Sequence, residues 1–277
     1  MSCIATIECI IEACSWRNAD MKVLFIRKKD YVPLLLILVA AIIFIIINAM
    51  LTQNYLSQVS GHYREDIPIY SVDCEGKKCA ITFDCAWGAD DIPNILDTLD
   101  NYKAKATFFL VGLWAEENPD MVKLMIERGH EVANHGYSHA HMAQIPEAKI
   151  QEEIRRCTEV IEKISGTKVT LFRPPYGEYN STTVRVAKKM NYQSIQWDVD
   201  SLDWKKNLSA DDIYKRVTQN VNRGSIILFH NDTLYTEKIL PSILDNLTKN
   251  GYDCVKVSDL LLKGDYKIRY DGRQMKE

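Results

Sequence analysis

A long apolar run lies near the N-terminus of the chain. Residues Leu34 to Ile47 include no polar side chain, and residues 31–51 are almost wholly apolar. A helix that spans a bilayer needs ~20 such residues, whereas a helix of a water-soluble domain normally keeps a polar face. The pattern therefore predicts a transmembrane anchor over residues 31–51.

The residues on either side of this run predict its orientation. Basic side chains cluster between residues 22 and 29, and positive flanks stay in the cytoplasm. We therefore expect residues 1–30 inside the cell and the bulk of the chain outside. A cleaved signal peptide is the alternative, but no small-residue cleavage site follows Ile47. We interpret Met21 as the true start and residues 1–20 as a start-site artefact.

After a polar stalk over residues 52–66, short β-type runs alternate with longer helical patterns. Strands separated by helices indicate βα units and a parallel sheet. About seven units predict an α/β domain over residues 67–265, a distorted (β/α) barrel, followed by a polar tail over residues 266–277. The predicted strands are Cys79–Phe83, Ala106–Leu110, Glu131–Asn134, Leu171–Arg173, Gln193–Trp197, Ser225–Phe229 and Asp253–Val257.

Composition narrows the class of protein further. The 277 residues include 47% hydrophobic and 26% charged residues, which excludes a wholly disordered chain and a polytopic membrane protein. Lys and Arg number 34 against 37 Asp and Glu, for a net charge of −3. Because the chain has no basic field, we expect no nucleic-acid partner.

Polar residues gather where the predicted strands end, which is where barrel active sites lie. His135 and His139 follow one strand with the spacing of a metal-binding pair. On a helical turn, positions i and i+4 share a face, and two imidazoles there can bind Zn²⁺. Such a pair by itself is also common as a surface coincidence. His141 lies off that face, and we interpret it as a solvated loop histidine.

Five short motifs in order resemble the polysaccharide deacetylase family, the NodB-homology group also called carbohydrate esterase family 4. The match extends from about Ile81 to Val257. The first motif has the form Phe-Asp-x-x-Trp-Gly, which resembles the sporulation-type branch of the family. The motifs are Thr82-Phe83-Asp84, His135-Gly-Tyr-Ser-His139, Arg173-Pro-Pro-Tyr176-Gly, Asp200-Ser-Leu-Asp203-Trp204 and Leu228-Phe-His230.

The resemblance implies two groups that transfer protons. Asp84 would be the general base, held in place by Arg173. His230 would be the general acid, tuned by Asp203. This division makes chemical sense, because hydrolysis of an amide needs one group that takes a proton from water and another that protonates the leaving amine.

The resemblance also implies the binding groups. His135 and His139 would ligate a divalent metal, Zn²⁺ or alternatively Co²⁺ or another divalent ion. The backbone N–H of Tyr176 would help to bind the oxyanion. Trp204 and Leu228 would form the wall of the pocket around the acetyl methyl group.

One position departs from the family pattern. Cys85 stands where the family usually has a second Asp that ligates the metal. Three alternatives remain open: Cys85 binds as a thiolate; Asp84, Asp90 or Asp91 supplies the missing oxygen; or the metal binds weakly or not at all. Separately, Cys74 and Cys79 flank a predicted turn and would form either a disulfide or two free thiols.

These observations predict a membrane-anchored, extracytoplasmic bacterial enzyme. We expect it to remove N-acetyl groups from cell-wall polysaccharide, in particular from the amino sugars of peptidoglycan. The branch resemblance suggests a role in spore formation. The alternatives are a catalytically weak or inactive glycan-binding protein, motivated by Cys85, and an O-acetyl esterase with the same machinery.

Overall fold

The computed structural model describes residues 36–50 and 66–277, which fall into two separate units, residues 1–56 and 57–277. Residues 36–50 are helical and their side chains are exposed. Within the described ranges, no helix is long and apolar enough to cross a membrane. Parts of the predicted anchor, residues 31–35 and 51, lie outside those ranges, as do the predicted segments 1–30 and 52–65. The anchor therefore stays a prediction.

The larger unit is an α/β domain with two sheets. Its strands are β1 Ser71–Val72, β2 Lys78–Cys85, β3 Ala106–Leu110, β4 Glu131–Asn134, β5 Leu171–Phe172, β6 Gln193–Ser194, β7 Val199–Asp200, β8 Ile226–His230, β9 Asp253–Cys254, β10 Tyr266–Ile268 and β11 Arg273–Lys276. Its α-helices are α1 Ile92–Asn101, α2 Gly112–Glu117, α3 Pro119–Glu127, α4 Glu147–Ser165, α5 Ser181–Lys189, α6 Ala210–Asn220, α7 Thr236–Lys249 and α8 Val257–Leu260.

Seven parallel strands form a curled half-barrel in the order β6-β5-β4-β3-β2-β8-β7. The predicted parallel α/β architecture is thereby confirmed. Strand β9 extends the sheet by pairing with the first two residues of β2. Strands β5, β6 and β7 contain only two residues each, so the two edges of the half-barrel offer little backbone for further pairing.

The residues predicted as a polar tail belong to the folded domain instead. Strands β10 and β11 pair antiparallel, and β11 pairs parallel with β1, to form a three-stranded sheet. The side-chain amide of Gln274 is buried and exchanges hydrogen bonds with the backbone of Leu262. Strand pairing with β1 and β10 and the burial of Gln274 place this polar segment against the domain.

Helix boundaries follow local chemistry. A capping box begins α6, because Ser209 and Asp212 exchange side-chain and backbone hydrogen bonds. The long helix α4 ends at Gly166, which adopts the left-handed conformation with φ 66° that glycine accepts most readily. These signals are short-range, and a sequence alone specifies them well.

The described cysteines are all free thiols. The sequence left a Cys74–Cys79 disulfide open, but the closest thiol contact joins Cys79 Sγ to Cys254 Sγ at 3.7 Å. These two residues face each other in the register between β2 and β9. Burial and this contact raise the pKa of the Cys79 thiol.

Candidate active site

Alternation along β2 separates the candidate site from the core. Thr82 and Asp84 face the inside of the half-barrel, while Ile81, Phe83 and Cys85 belong to the main hydrophobic cluster. Asp84 lies beside His230 in the register of β2 with β8. Both residues stand at the carboxyl ends of their strands, so the fold brings the predicted base and acid together.

Asp84 is held by the side chain of Arg173. Arg173 Nη1 donates to Asp84 Oδ1 at 2.6 Å and to Thr82 Oγ1 at 2.9 Å, and Nη2 donates to the carbonyl of Gln196 at 3.2 Å. The guanidinium also lies 3.9 Å above the ring of Phe109. Because Arg173 is fully buried, this ion pair is fixed from several sides rather than being a surface contact.

The surroundings of Asp84 decide its charge. Burial disfavours the carboxylate, but the positive charge of Arg173 and its hydrogen bond to Asp84 outweigh burial and lower the pKa of Asp84 below its usual value. Asp84 is therefore ionised at neutral pH. An ionised carboxylate that is almost excluded from solvent can accept a proton from a nearby donor.

His135 and His139 do meet, although not on a helical turn as predicted. Residues 135–141 form a loop after β4, in which Gly136 has φ 76° and His139 has φ 59°. The two rings lie 5.2 Å apart between centroids. The predicted helical geometry is therefore wrong, because two left-handed residues bend the loop and bring the rings together.

Burial holds both imidazoles neutral. His135 Nδ1 is 2.8 Å from the carbonyl of Arg173, which leaves Nε2 directed toward Asp84 Oδ2 at 3.4 Å. Burial lowers the pKa of His135, and burial together with His135 lowers the pKa of His139 to about 4. The buried Nδ1 of His139 has no hydrogen-bond partner within the described structure. Neutral imidazoles with a free nitrogen are the form that ligates metals.

The donor set fits a cation only in part. In the regions that the structure describes, no group of three or more His, Cys, Asp or Glu side chains is arranged to hold a metal. His135 and His139 supply two nitrogens, and Asp84 is already engaged by Arg173. A site with two protein ligands, completed by water, is expected to bind a divalent ion more weakly than a site with three.

Thiolate ligation by Cys85 does not agree with the structure. Its side chain is fully buried in the hydrophobic cluster, on the face of β2 opposite Asp84. Burial and the nearby charges of Asp84 and Asp91 raise the pKa of this thiol well above its usual value. Cys85 is therefore a protonated core residue, and its strand parity with Phe83 already indicated this face.

The two other candidate oxygens lie elsewhere. Asp90 is exposed on the loop after β2. Asp91 precedes α1 and accepts a hydrogen bond from the backbone of Asp232 at 2.8 Å. Among the described residues, neither carboxylate is therefore grouped with His135 and His139 as a set of metal ligands.

His230 and Asp203 form the other half of the site. Asp203 Oδ1 lies 2.8 Å from His230 Nδ1, and its Oδ2 accepts from the backbone N–H of His230 at 2.7 Å. Thr236 Oγ1 donates to the same Oδ2 at 2.6 Å. Burial acts against protonation of His230, but the hydrogen bond and the charge of Asp203 outweigh it and raise the pKa of His230.

The three residues predicted to bind substrate occupy different positions. Leu228 is buried on the inner face of β8, two residues before His230. Trp204 is exposed on the loop after β7. Tyr176 is exposed in a short 3₁₀ turn with φ 61°, and its ring lies 4.3 Å from the ring of His139.

Two supporting residues, Glu153 and Asn134, were not predicted from the sequence. The side chain of Glu153 in α4 accepts hydrogen bonds from the backbone N–H groups of Tyr137 and Ser138 at 2.9 and 2.8 Å. These two bonds fix the loop of residues 135–141 to the helix. Asn134 accepts from Gly136 N–H at 2.8 Å. Neither carries a sequence signal of its own, because an Asn at a strand end and a Glu in an amphipathic helix are both common.

His141 is an exposed loop histidine, as we expected, and it also contacts two neighbouring side chains. Its Nδ1 lies 2.9 Å from Glu178 Oε2, and its ring stacks on Tyr176 at 4.2 Å. Because Tyr176 also contacts His139, His141 takes part in one side of the site. Only the folded loops reveal this contact.

The half-barrel, the five motifs at its strand ends and the paired Asp84–Arg173 and His230–Asp203 side chains define a hydrolase-type site on a NodB-like fold. A family model described as polysaccharide deacetylase matches residues 71–195. The chain belongs to the polysaccharide deacetylase family, as the five motifs predicted. The finer assignment to a sporulation-type branch stays a prediction.

Individual relatives place the chain within this family. A peptidoglycan-N-acetylglucosamine deacetylase from Bacillus cereus is 37% identical over 190 residues, 67% of this chain and 88% of that protein. The peptidoglycan-N-acetylmuramic acid deacetylase PdaC from Bacillus subtilis is 35% identical over 69% of this chain and 40% of that protein. A CE4 family pseudoenzyme from Bacillus anthracis superposes with a TM-score of 0.67 at 30% identity, over 75% of this chain and 70% of that chain.

Proposed function

We propose that this protein removes N-acetyl groups from the amino sugars of peptidoglycan. The observation that carries the proposal is the placement of Asp84 beside His230 on adjacent strands, each with its own charged partner. Relatives named as peptidoglycan deacetylases support the choice of polymer. Deacetylation leaves free amines, which add positive charge to the glycan.

The two halves of the site divide the proton transfers. Asp84, kept ionised by Arg173, takes a proton from the water that attacks the acetyl carbonyl. His230, kept protonated by Asp203, gives a proton to the nitrogen of the leaving amine. The backbone N–H of Tyr176 donates to the oxygen of the tetrahedral intermediate. Leu228 and Trp204 pack against the acetyl methyl group.

A divalent cation, Zn²⁺ or Co²⁺, belongs to this proposal. His135 and His139 would hold it through their neutral imidazoles. When bound, such an ion lowers the pKa of coordinated water to about 7 and polarises the carbonyl. The partial donor set predicts that this chain needs more added metal for activity than a deacetylase with three protein ligands.

The proposed location is the outer face of a bacterial membrane. Residues 31–51 would anchor the domain, with the N-terminus inside, and would keep the site beside the growing wall polymer. A role in spore formation is part of the same hypothesis and rests on the Phe-Asp-x-x-Trp-Gly motif. Partition of the full chain with membranes tests the anchor.

Acetate release tests the activity. The full chain is incubated with purified peptidoglycan and with N-acetylglucosamine oligomers, with and without added Zn²⁺ or Co²⁺. We expect metal-stimulated acetate release, a loss of at least about 10²-fold in Asp84→Asn, and little change in the exposed Asp90→Asn control. Equal activity in Asp84→Asn and wild type would overturn the proposed role of Asp84.

A second candidate is a glycan-binding protein with little or no activity. The burial of Cys85 in the hydrophobic cluster favours it, and the likeness to a pseudoenzyme is compatible with it. This candidate predicts that the protein binds peptidoglycan oligomers but releases no acetate at any metal concentration. Calorimetric binding measured alongside acetate release separates the two candidates.

A further inference from the structure

Exposed aromatic side chains are unevenly distributed over the described domain. Among residues 66–277, four aromatic side chains are exposed: Trp87, Tyr176, Trp204 and Tyr270. The first three follow β2, β5 and β7, at the edge of the sheet that carries the site. Scattered apolar residues on a surface need no explanation, but a group of large ones beside a site indicates ligand contact.

Trp87 stands out because the motifs assigned it no role. It is 62% exposed, although its backbone is firmly held. Asn231 Nδ2 donates to the carbonyls of Trp87 and Gly88 at 2.7 and 2.9 Å, and Trp114 Nε1 donates to Gly88 at 2.5 Å. Asn231 and Trp114 are both buried, so the exposed indole belongs to a loop whose backbone is fixed by hydrogen bonds from buried side chains.

Gly88 makes this loop conformation specific. It has φ 48°, and a Cβ at this position would come within 2.4 Å of the side chain of Asp232. A side chain at residue 88 would therefore displace the loop that presents Trp87. Gly88 thus permits the tight turn, and this turn holds the side chain of Trp87 at the surface.

The indole lies next to the site. Its ring centroid is 5.1 Å from that of His139, with an interplanar angle of 72°. The two rings meet in a T-shaped arrangement, and Trp87 remains largely exposed to solvent. A ligand that reached Asp84 and His139 would pass beside this surface.

We propose that Trp87 is a stacking platform for a sugar ring that neighbours the one being deacetylated. This proposal rests on the proposed function and names its substrate class: oligosaccharide chains rather than single amino sugars. The C–H faces of a pyranose are apolar and pack against an aromatic face, and a rigidly held side chain gives this contact at low entropic cost. Trp87 therefore acts in substrate binding and not in proton transfer.

The test compares substrates of increasing length. Acetate release is measured on N-acetylglucosamine oligomers from the monomer to the hexamer, with wild type, Trp87→Ala, Trp87→Tyr and Trp87→Leu. We expect Trp87→Ala to raise KM about tenfold on the longer oligomers with kcat almost unchanged. The advantage of long over short substrates should shrink in the same variant.

The remaining variants distinguish stacking of a sugar ring on an aromatic side chain from nonspecific apolar contact at residue 87. Trp87→Tyr should keep most of the length dependence, whereas Trp87→Leu, apolar but not aromatic, should lose it as Trp87→Ala does. Tyr270→Ala is the matched control, since Tyr270 is also exposed but lies in the turn between β10 and β11. A fall in kcat that is equal for all oligomers would overturn the proposal and assign Trp87 to support of His139.

A binding measurement keeps this proposal distinct from the catalytic one. Calorimetry with the N-acetylglucosamine tetramer is done on wild type and Trp87→Ala. Weaker binding in the variant supports the platform even if no acetate is released, and in that case only the catalytic proposal fails. Equal binding in both proteins overturns the platform while leaving deacetylation intact.

Discussion

On one side of the site, Asp84 shares a hydrogen bond with Arg173, which is fully buried; on the other, His230 shares one with Asp203 and remains partly open to solvent. Arg173 lowers the pKa of the Asp84 carboxyl group, and Asp203 raises the pKa of the His230 imidazole. Each partner therefore favours the charged form of its residue relative to the free side chain, although the two residues occupy paired positions on adjacent strands. Opposite shifts in neighbouring groups are a usual sign of separate acid and base roles.

The Asp84–Arg173 half and the His230–Asp203 half of the site also differ in how much folding free energy is lost when each is disrupted. A buried guanidinium with no partner would be strongly destabilising, so the Asp84 half depends on an intact ion pair for folding as well as chemistry. The His230 half is nearer the surface, and its partner mainly sets a protonation state. Disruption of the first half should therefore affect stability and activity together, and disruption of the second chiefly the pH profile.

Arg173→Met should have the largest effect. It leaves Asp84 buried without its cation, and we expect the free energy of unfolding to fall by about 3–5 kcal/mol and acetate release to be lost. Denaturant unfolding and the acetate assay measure the two effects. The double variant Arg173→Met, Asp84→Asn should recover part of the stability but none of the activity. Unchanged stability in the single variant would contradict the ion-pair argument.

Cys85→Asp tests whether the side chain of residue 85 faces the hydrophobic core or the candidate metal site. Because residue 85 faces the hydrophobic cluster, a carboxylate there should destabilise the fold by about 3 kcal/mol and should not increase metal affinity. Cys85→Ser should leave the Kd for Zn²⁺ unchanged, measured by titration of the purified domain. Tighter metal binding in Cys85→Asp would show that this side chain reaches the histidines after all.

Asp203→Asn should change the pH dependence of the His230 half. With the carboxylate gone, the pKa of His230 falls, so the alkaline limb of the acetate-release profile should move to lower pH, with about a 10²-fold loss near its former optimum. Thermodynamic linkage gives the sign for stability. Since the folded pKa lies above the ordinary 6.5, the stabilisation is present below pH 6.5 and is lost as the pH rises through the folded pKa.

The stability prediction has its own control. Asp203→Asn should unfold with a weaker dependence on pH above 6.5 than wild type, whereas Asp200→Asn, on β7 near the same loop, should keep most of the wild-type dependence. Thermal unfolding at a series of pH values gives both curves. Identical curves for wild type and Asp203→Asn would show that Asp203 does not set the charge of His230.

Thr236→Val should have the smallest effect. It removes one hydroxyl donor from Asp203 and leaves the His230 contact in place. We expect a loss of about 1 kcal/mol in stability, about a fivefold decrease in activity and a small shift of the alkaline limb. Thr82→Val is the matching change at Arg173 and should leave the pH profile unmoved. If both variants shift the profile equally, the two halves are not independent.

The sequence by itself determined most of the half-barrel strands, though not β7, together with their order of appearance and the residues at their ends. Six of the predicted strands overlap the half-barrel strands, and β2 places Asp84 toward the site because side chains alternate along a strand. The same alternation assigns Cys85 to the core with Phe83, so this correction was within reach of the sequence. Such rules act over two to four residues and need no knowledge of distant contacts.

Only the tertiary structure decided how the ends of those strands come together. His135 and His139 meet through a bent loop that Glu153 fixes from a helix later in the chain, and the turn that carries Trp87 is held by Asn231, which follows the adjacent strand β8. Residues 266–277 join the fold through pairing with β1, about 200 residues earlier. These contacts link positions far apart along the chain, and no local pattern of polarity specifies them.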